Sequence, residues 1–162
     1  MISFDSRLNI LTLGQRDNLL AEVDLLLTSV FETTPEKNFD FILKNKVTLS
    51  CREIVESLVG QEVLKSGTWE KFTEPLQNFK KDLLDLSVAK LTLASEPSSV
   101  YLEELVGILR SKSKQFVIVD LIIAPEIWGG FNLVWQGKVF DNSVKNKFDS
   151  WKQNFLSKPL SL

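Results

Sequence analysis

Residues 125–144, PEIWGGFNLVWQGKVFDNSV, determine how the C-terminal half of this 162-residue chain folds. A glycine pair, Gly129 and Gly130, precedes an apolar run at residues 131–135. Such a pair before a strand is typical of a tight turn or a bulge in which two backbone segments approach closely. Gly137 follows the run and can adopt the positive φ of a hairpin turn. The stretch therefore predicts a β-hairpin that is entered through a glycine turn.

The last helix is predicted to begin directly after this hairpin. Asp141 or Asn142 suits the N-cap, because a short side-chain oxygen can accept hydrogen bonds from the free amides of the first turn. The apolar residues that follow recur at i, i+4, i+7 and i+11, which is the spacing of one helical face. They are Val144, Phe148, Trp151 and Phe155, and the opposite face carries Lys145, Lys147 and Lys152. An amphipathic helix is therefore expected at this end of the chain.

The preceding residues supply the rest of this half. Residues 88–94 are β-branched and partly alternating, which predicts a strand. A proline and two serines then mark the start of a helix, and residues 116–124 predict a second strand with one apolar face. The order of strand, helix, strand, hairpin and amphipathic C-terminal helix predicts a small α+β domain over residues 86–162.

The first half, residues 1–85, predicts several short amphipathic helices. The clearest spans residues 17–31, where apolar positions repeat at helical spacing. Pro35, a capping box that starts at Ser50, and Pro75 are predicted to open three further helices. The apolar stripe of the first helix consists of Leu19, Leu20, Val23, Leu26, Leu27 and Val30. Because each helix has one apolar face, this half should form a small helical bundle, and the whole chain falls in the α+β class.

The residue types argue against an enzyme. The chain has no histidine, so a Ser-His-Asp or Cys-His arrangement is impossible. The glycine spacing does not match that of a phosphate-binding loop. The single cysteine, Cys51, is of the kind that fills a core. We therefore expect no catalytic residue, no cofactor-binding residue and no metal ligand.

Charge and hydropathy exclude two further classes of protein. The formal net charge of -2 and a pI of about 5.3 do not fit a nucleic-acid-binding protein, which needs clustered basic residues. Residues 116–135 are apolar but contain charged residues, a proline and glycines, so we expect no membrane span. The first residues lack a basic segment followed by an apolar one, and a lone cysteine fits a reducing compartment. A cytosolic setting is therefore expected.

The pattern of residues 125–144 resembles the C-terminal signature of ATP synthase delta subunits and of their mitochondrial counterpart, the oligomycin-sensitivity-conferring protein. That signature consists of a proline, a glycine pair, an apolar strand, a glycine turn and an Asp-Gly-Ser-Val segment before an amphipathic helix. The matching positions in this chain are Gly129, Gly130, Gly137, Asp141 and Ser143. All of them are residues that make the fold.

The resemblance implies a structural subunit. Members of the family are non-catalytic stator subunits that link the catalytic head of a rotary F-type ATP synthase to its peripheral stalk, for proton-coupled ATP synthesis. The implied partners are the N-terminal helices of the alpha subunit for residues 1–85 and the C-terminus of the stalk b subunit for residues 86–162. The implied location is the cytoplasmic face of the cell membrane, as a peripheral part of the complex, with no cofactor.

Partner helices would dock on apolar faces of the two predicted domains. The stripe from Leu19 to Val30 is the expected groove of the head-binding domain, although core packing is the simpler explanation of its pattern, because a small bundle buries such a stripe first. Trp151 and Phe155 are the expected stalk contact, because aromatic residues anchor interfaces. Packing of these two rings against the sheet is the alternative.

Two other functions fit parts of the pattern. The E-type stalk subunit of vacuolar and archaeal rotary ATPases also has a Gly-Gly strand and an Asp-Asn-Thr turn. Those proteins begin with a long uninterrupted helix, whereas prolines and glycines divide the first half of this chain. A small-ligand-binding α+β module that uses the open face of the sheet is the second alternative, although the sequence offers it few convergent polar groups.

Overall fold

The structure is a computed structural model that describes residues 10–30, 41–59 and 70–157. Within these residues the chain divides into two compact units. The helical unit contains Ile10 and the described part of Gly14–Leu86, and the α+β unit contains Leu11–Leu13 and the described part of Ser87–Leu162. The helices and the four-stranded mixed sheet confirm the predicted α+β class.

The helical unit contains three long helices in its described residues. They are α1 (Leu13–Val30), α2 (Leu49–Val59) and α3 (Glu70–Leu84), and residues 41–45 are also helical. The helix α1 predicted from the apolar stripe is confirmed, and it begins four residues earlier than expected. The predicted helix start at Pro35 and the predicted end of α2 near residue 64 lie outside the described residues.

Two predicted helix starts are wrong. The hydroxyl of Thr48 accepts a hydrogen bond from the Cys51 amide at 3.3 Å, so α2 begins before the predicted capping box at Ser50. The Thr48 amide and hydroxyl both donate to the Glu22 carboxylate, at 3.2 and 2.9 Å, which holds Thr48 at this position. Pro75 lies inside α3 and does not open it. The helix extends further back because Phe72, a turn earlier, is fully buried.

The core of the helical unit comes from one face of each helix. Val23 and Leu26 of α1, Val55 of α2, and Leu76 and Phe79 of α3 are each at most 1% exposed. This arrangement removes large apolar side chains from water, which is the main stabilising contribution in a small bundle. The surface ion pair between Lys80 and Asp24, at 2.6 Å, links α3 to α1 and adds little to stability.

The α+β unit has the predicted elements in the predicted order. They are β1 (Ser87–Leu93), α4 (Ser99–Ser113), β2 (Val117–Ile123), a 3-10 turn (Pro125–Ile127), β3 (Phe131–Trp135), β4 (Lys138–Asp141) and α5 (Val144–Ser157). The strand order in the sheet is β2-β1-β3-β4. Strands β1 and β2 are parallel and are connected by α4, whereas β3 pairs antiparallel with both β1 and β4.

Helix α4 covers one face of this sheet. Its Leu102 and Val106 pack with the sheet residues Leu91, Val119 and Leu133 in one buried cluster. The predicted serine cap is confirmed, because the Ser98 hydroxyl accepts from the Tyr101 amide at 3.3 Å.

A short segment before α1 extends the sheet beyond β2. Thr12 forms a parallel bridge with Val119, and the Val119 amide donates to the carbonyl of Leu11 at 2.9 Å. The Leu11 side chain joins the same core cluster as α4. The sequence had placed these residues with the helical half, because three residues are too few to show a strand pattern.

The hairpin between β3 and β4 is confirmed. Gln136 and Gly137 both have positive φ, 48° and 74°, in a two-residue loop. Positive φ at both central residues is the geometry of a type I′ turn, whose twist matches that of the strands it joins. The turn therefore fixes the register in which β4 returns along β3.

Candidate functional site

The turn that leads into β3 also holds the start of α5. Trp128, Gly129 and Gly130 have consecutive positive φ values of 64°, 144° and 73°. A Cβ at Gly130 would collide with the backbone carbonyl of Asn142, so the predicted close approach of two backbone segments is confirmed. The Val144 amide donates to the carbonyl of Gly129 at 3.0 Å. These contacts place the first residue of α5 directly beside the glycine pair.

The N-cap of α5 differs from the prediction. The Ser143 hydroxyl accepts from the Asn146 amide at 3.2 Å and is the cap, whereas Asp141 and Asn142 lie before the helix. The carboxylate of Asp141 accepts from the Ser143 amide at 2.9 Å, two residues on. Asp141 therefore makes a local turn that orients the cap, because an Asx side chain commonly binds its own backbone two residues ahead.

Ser143 also changes the acidity of Asp141. Hydrogen bonds from the Ser143 hydroxyl and from its backbone amide lower the pKa of Asp141 below its ordinary value of 3.8, because they stabilise the carboxylate. The carboxylate therefore stays ionised at neutral pH. Ser143 itself is 3% exposed, so the cap lies in the interior although Asp141 lies at the surface.

Helix α5 carries a row of exposed aromatic rings. Phe148, Trp151 and Phe155 are 46%, 59% and 64% exposed, and no residue of the helix is buried. Successive ring centroids lie 5.9 Å apart from Phe148 to Trp151 and 5.5 Å apart from Trp151 to Phe155. Trp128, 60% exposed, meets Phe148 edge to face at 5.8 Å. We call these four rings the aromatic row.

The exposure of the aromatic row decides between the two explanations given for Trp151 and Phe155. Packing against the sheet would bury these rings, and they are exposed instead. An exposed apolar surface of this kind is typical of a binding site. The row is therefore the candidate functional site of the α+β unit.

The predicted stripe on α1 lies in a different environment. Leu19, Val23 and Leu26 are buried, and Leu20 and Leu27 are half-buried. The side chain of Val30 is outside the part that the structure describes. The three buried leucine and valine residues belong to the core of the helical unit, so any docking surface there must include other residues.

The titratable groups of the described residues do not assemble into a reactive centre. Burial, together with the neighbouring carboxylate of Glu22, raises the pKa of the Cys51 thiol to about 12, so the thiol is protonated and unreactive. Among the described residues, no group of three cysteine or acidic side chains could hold a metal ion. Arg110 stacks on Phe116 at 3.8 Å and donates to the Val117 carbonyl at 2.9 Å, which is a structural contact.

A cleft of about 350 Å³ lies at the carboxyl end of β1. Residues 93–98 line it together with Tyr101 and the glycine pair. Its ionisable side chains are Glu96 and Tyr101, and the Ser98 hydroxyl is already engaged by the α4 cap. The lining therefore offers few polar side chains to hold a ligand, whereas a small-molecule site uses a set of precisely placed ones.

None of the helices in the described ranges is both long enough and apolar enough to cross a membrane.

The fold defines an α+β protein whose exposed aromatic row is a candidate docking surface. The family model described as ATP synthase delta (OSCP) subunit matches residues 32–155, which is most of the chain. The chain therefore belongs to the ATP synthase delta (OSCP) subunit family.

Among the solved structures, a chain of the Toxoplasma gondii mitochondrial ATP synthase hexamer, determined by cryo-electron microscopy, is similar to this chain. The two chains are 14% identical, each is covered over 88% of its length, and the TM-score is 0.41. No curated protein matches this chain.

Sequence reasoning missed two members of the aromatic row as site residues. Phe148 was recognised as part of the α5 stripe but not as a contact residue, and its exposure could not be read from its spacing. Trp128 lies in a turn outside any helical pattern, so only its size and its position before the glycine pair could have indicated a surface role.

Proposed function

We propose that this chain is the non-catalytic stator subunit of an F-type ATP synthase, where it links the catalytic head to the peripheral stalk. The observation that carries the proposal is the exposed aromatic row on α5 in a chain of the delta family. In this function the α+β unit binds the C-terminus of the stalk b subunit, and the helical unit binds the N-terminal helices of the alpha subunit.

The stalk contact is inferred because exposing the large apolar rings of the aromatic row to water is unfavourable in free energy. Trp151 and Phe155 expose more than half of their surface, although neither fills a gap in the core. Aromatic side chains of this kind supply most of the binding free energy where two proteins meet, because they bury large areas at low entropic cost. A partner helix that covers the row would remove this surface from water.

The head contact must use residues other than the buried α1 stripe. The helical unit exposes several large apolar side chains that its own core does not use. They are Leu25 (42%), Leu84 (55%), Phe41 (56%) and Leu49 (70%). We assign the alpha-subunit contact to these exposed residues. The buried residues of the α1 stripe contribute only by packing in the core that holds the helices together.

The mechanism is mechanical. A head that drives or is driven by a rotor must be held against torque, and two separate helix-docking surfaces on one small protein provide that link. No step of this function requires a catalytic group or a cofactor. The protein would lie at the cytoplasmic face of the cell membrane as a peripheral part of the complex.

Removal of α5 tests the proposal. Deleting residues 146–162 removes most of a helix that has no buried residue, so the sheet and α4 should remain folded. Membranes that contain the shortened chain should lose the catalytic head in a low-salt wash, whereas membranes with the full chain retain it. Circular dichroism of the purified shortened chain checks that it folds. A folded shortened chain that retains the head as firmly as the full chain would refute the proposal.

A further inference from the structure

We propose that the aromatic row binds an amphipathic helix whose apolar stripe is bordered by acidic residues, and that Lys147 and Lys152 select this partner. The inference rests on the proposed docking function of α5 and adds the chemistry of the occupant.

The row has the length of a helix-docking seam. On α5 it runs from Phe148 to Phe155, which is seven residue steps, or about 10 Å at the rise of an α-helix. Trp128 extends the row from a different element, since its ring contacts Phe148 at 5.8 Å. The structure therefore offers a continuous line of rings along about two turns of α5, extended by the ring of Trp128, which a partner helix could follow.

The lysines border this line on both sides. At about 100° per residue, Lys147 and Lys152 lie roughly 70° to either side of the centre of the apolar stripe, so they flank it more than they oppose it. Lys145 lies on the same side as Lys152. The one acid of the helix, Asp149, lies further round, roughly 130° from the centre. Within the described residues, none of the three lysines forms an ion pair with another part of the chain.

The charges around the row thus favour a partner with acidic borders. Lysines at the edge of an apolar seam attract acids on the facing helix and repel bases, which is how flanking charges choose partners in paired helices. Because the lysines are exposed, the attraction should weaken with salt.

A lipid surface would also accept aromatic rings next to lysines. The apolar stripe of α5, however, spans only about 60° of the helix. Leu156, the other exposed apolar residue of α5, lies about 110° from the centre of the stripe, beyond Lys152, so the lysine interrupts the face of at least about 100° that buries a helix against a broad apolar layer. A narrow row that is continued by a ring from a turn fits a seam between helices. The observations therefore favour a protein helix over a membrane.

The backbone at Trp128 supports a binding role for its ring. A bulky residue at φ 64° is unfavourable, and glycine would occupy the position without strain. Strained positions of this kind are retained where the side chain has a function. The ring of Trp128 is exposed, so its contribution to the core of the unit is small.

Two synthetic helical peptides with the same leucine stripe test the proposal, one with glutamates and one with lysines on both borders. Each peptide is titrated into three proteins: the full chain, the α5 variant Lys147→Glu/Lys152→Glu, and the control Lys81→Glu/Lys112→Glu. The control makes the same charge change on exposed lysines of α3 and α4. The full chain and the control should bind the glutamate peptide about tenfold more tightly, and the α5 variant should prefer the lysine peptide. Raising the salt concentration should reduce both preferences.

Other outcomes overturn the proposal in distinct ways. Equal binding of both peptides by the full chain would leave a docking surface but reject selection by the lysines. Binding to phosphatidylglycerol vesicles with no binding to either peptide would identify a membrane-binding helix, and binding to neither probe would reject the row as a docking site. The proposed stator function fails separately, if the head is retained on membranes without α5, whatever the peptides show.

Discussion

The rings of Trp128 and Phe148 meet edge to face, with centroids 5.8 Å apart and planes inclined by 62°. This contact joins the turn before β3 to the second turn of α5. Together with the hydrogen bond from the Val144 amide to the Gly129 carbonyl, it fixes a helix that has no buried side chain. The orientation of α5 therefore depends on one aromatic contact and one backbone turn. The effect of changing each of them on the stability of the chain can be measured.

Strain at Trp128 is the first testable point. Trp128→Gly and Trp128→Ala both remove the ring, but only glycine adopts φ 64° without steric strain. We expect the glycine variant to be the more stable of the two by about 1 kcal/mol in urea unfolding. At Trp151, in the helix, the same pair of substitutions should give the reverse order, because glycine is about 1 kcal/mol less favourable than alanine there. If both positions favour alanine, Trp128 is not strained.

Of the two residues of the glycine pair, Gly130 should be the less tolerant of substitution. Gly130→Ala combines positive φ with a collision against the carbonyl of Asn142, so it should destabilise the chain by at least about 1–3 kcal/mol. Gly137→Ala has a similar φ and open space around the new Cβ, and it should cost less. The difference between their unfolding free energies measures the collision. Equal costs would mean that the backbone at Asn142 moves away freely.

The acid sensitivity of α5 should depend on Asp141. Because its pKa is lowered in the folded state, the carboxylate stabilises the fold above the unfolded pKa of about 4, and this contribution is lost as the pH falls through the lower folded pKa. The urea midpoints of the parent chain and Asp141→Asn should therefore differ most near neutral pH and converge at strongly acidic pH. Ser143→Ala should reduce this pH dependence, since its hydroxyl is the main donor. A gap that widens in acid would contradict the assignment.

Cys51 should be chemically silent in the folded chain. Its side chain is fully buried, and its pKa of about 12 leaves almost no thiolate near pH 8. Because the thiol is buried and protonated, a colorimetric disulfide reagent at pH 8 should react with less than about one tenth of it under native conditions. The reagent should react completely in denaturing urea. Rapid reaction of the native protein would show that the core around α2 opens.

Local chemistry made much of the α+β unit predictable. The hairpin at Gly137 and the close approach at Gly130 follow from residues within a few positions of one another, and the structure confirms both. The helices and strands from β1 to α5 follow from apolar spacing and a serine cap. These features need no knowledge of the rest of the chain.

Features that depend on distant residues could not be predicted. The cap of α2 is Thr48 because Glu22, 26 residues earlier, binds it. Pro75 continues a helix because burial of Phe72 outweighs the local preference. The same limit applies to the candidate site, since spacing identified the face of α5 but not whether the sheet would cover it.

The ratio of proton pumping to ATP hydrolysis tests the stator function most directly. Membrane vesicles that contain the catalytic head are supplied with limiting amounts of the full chain, of Trp151→Ala/Phe155→Ala, or of the control Val100→Ala/Ile108→Ala, which truncates exposed apolar residues on α4. The aromatic variant should hydrolyse ATP at the parental rate and pump protons per ATP about fivefold less well, because interface aromatics carry most of the binding free energy. The control should behave as the parent. Full coupling with the aromatic variant, folded and present in equal amount, would contradict the assignment of the aromatic row as the link to the stalk.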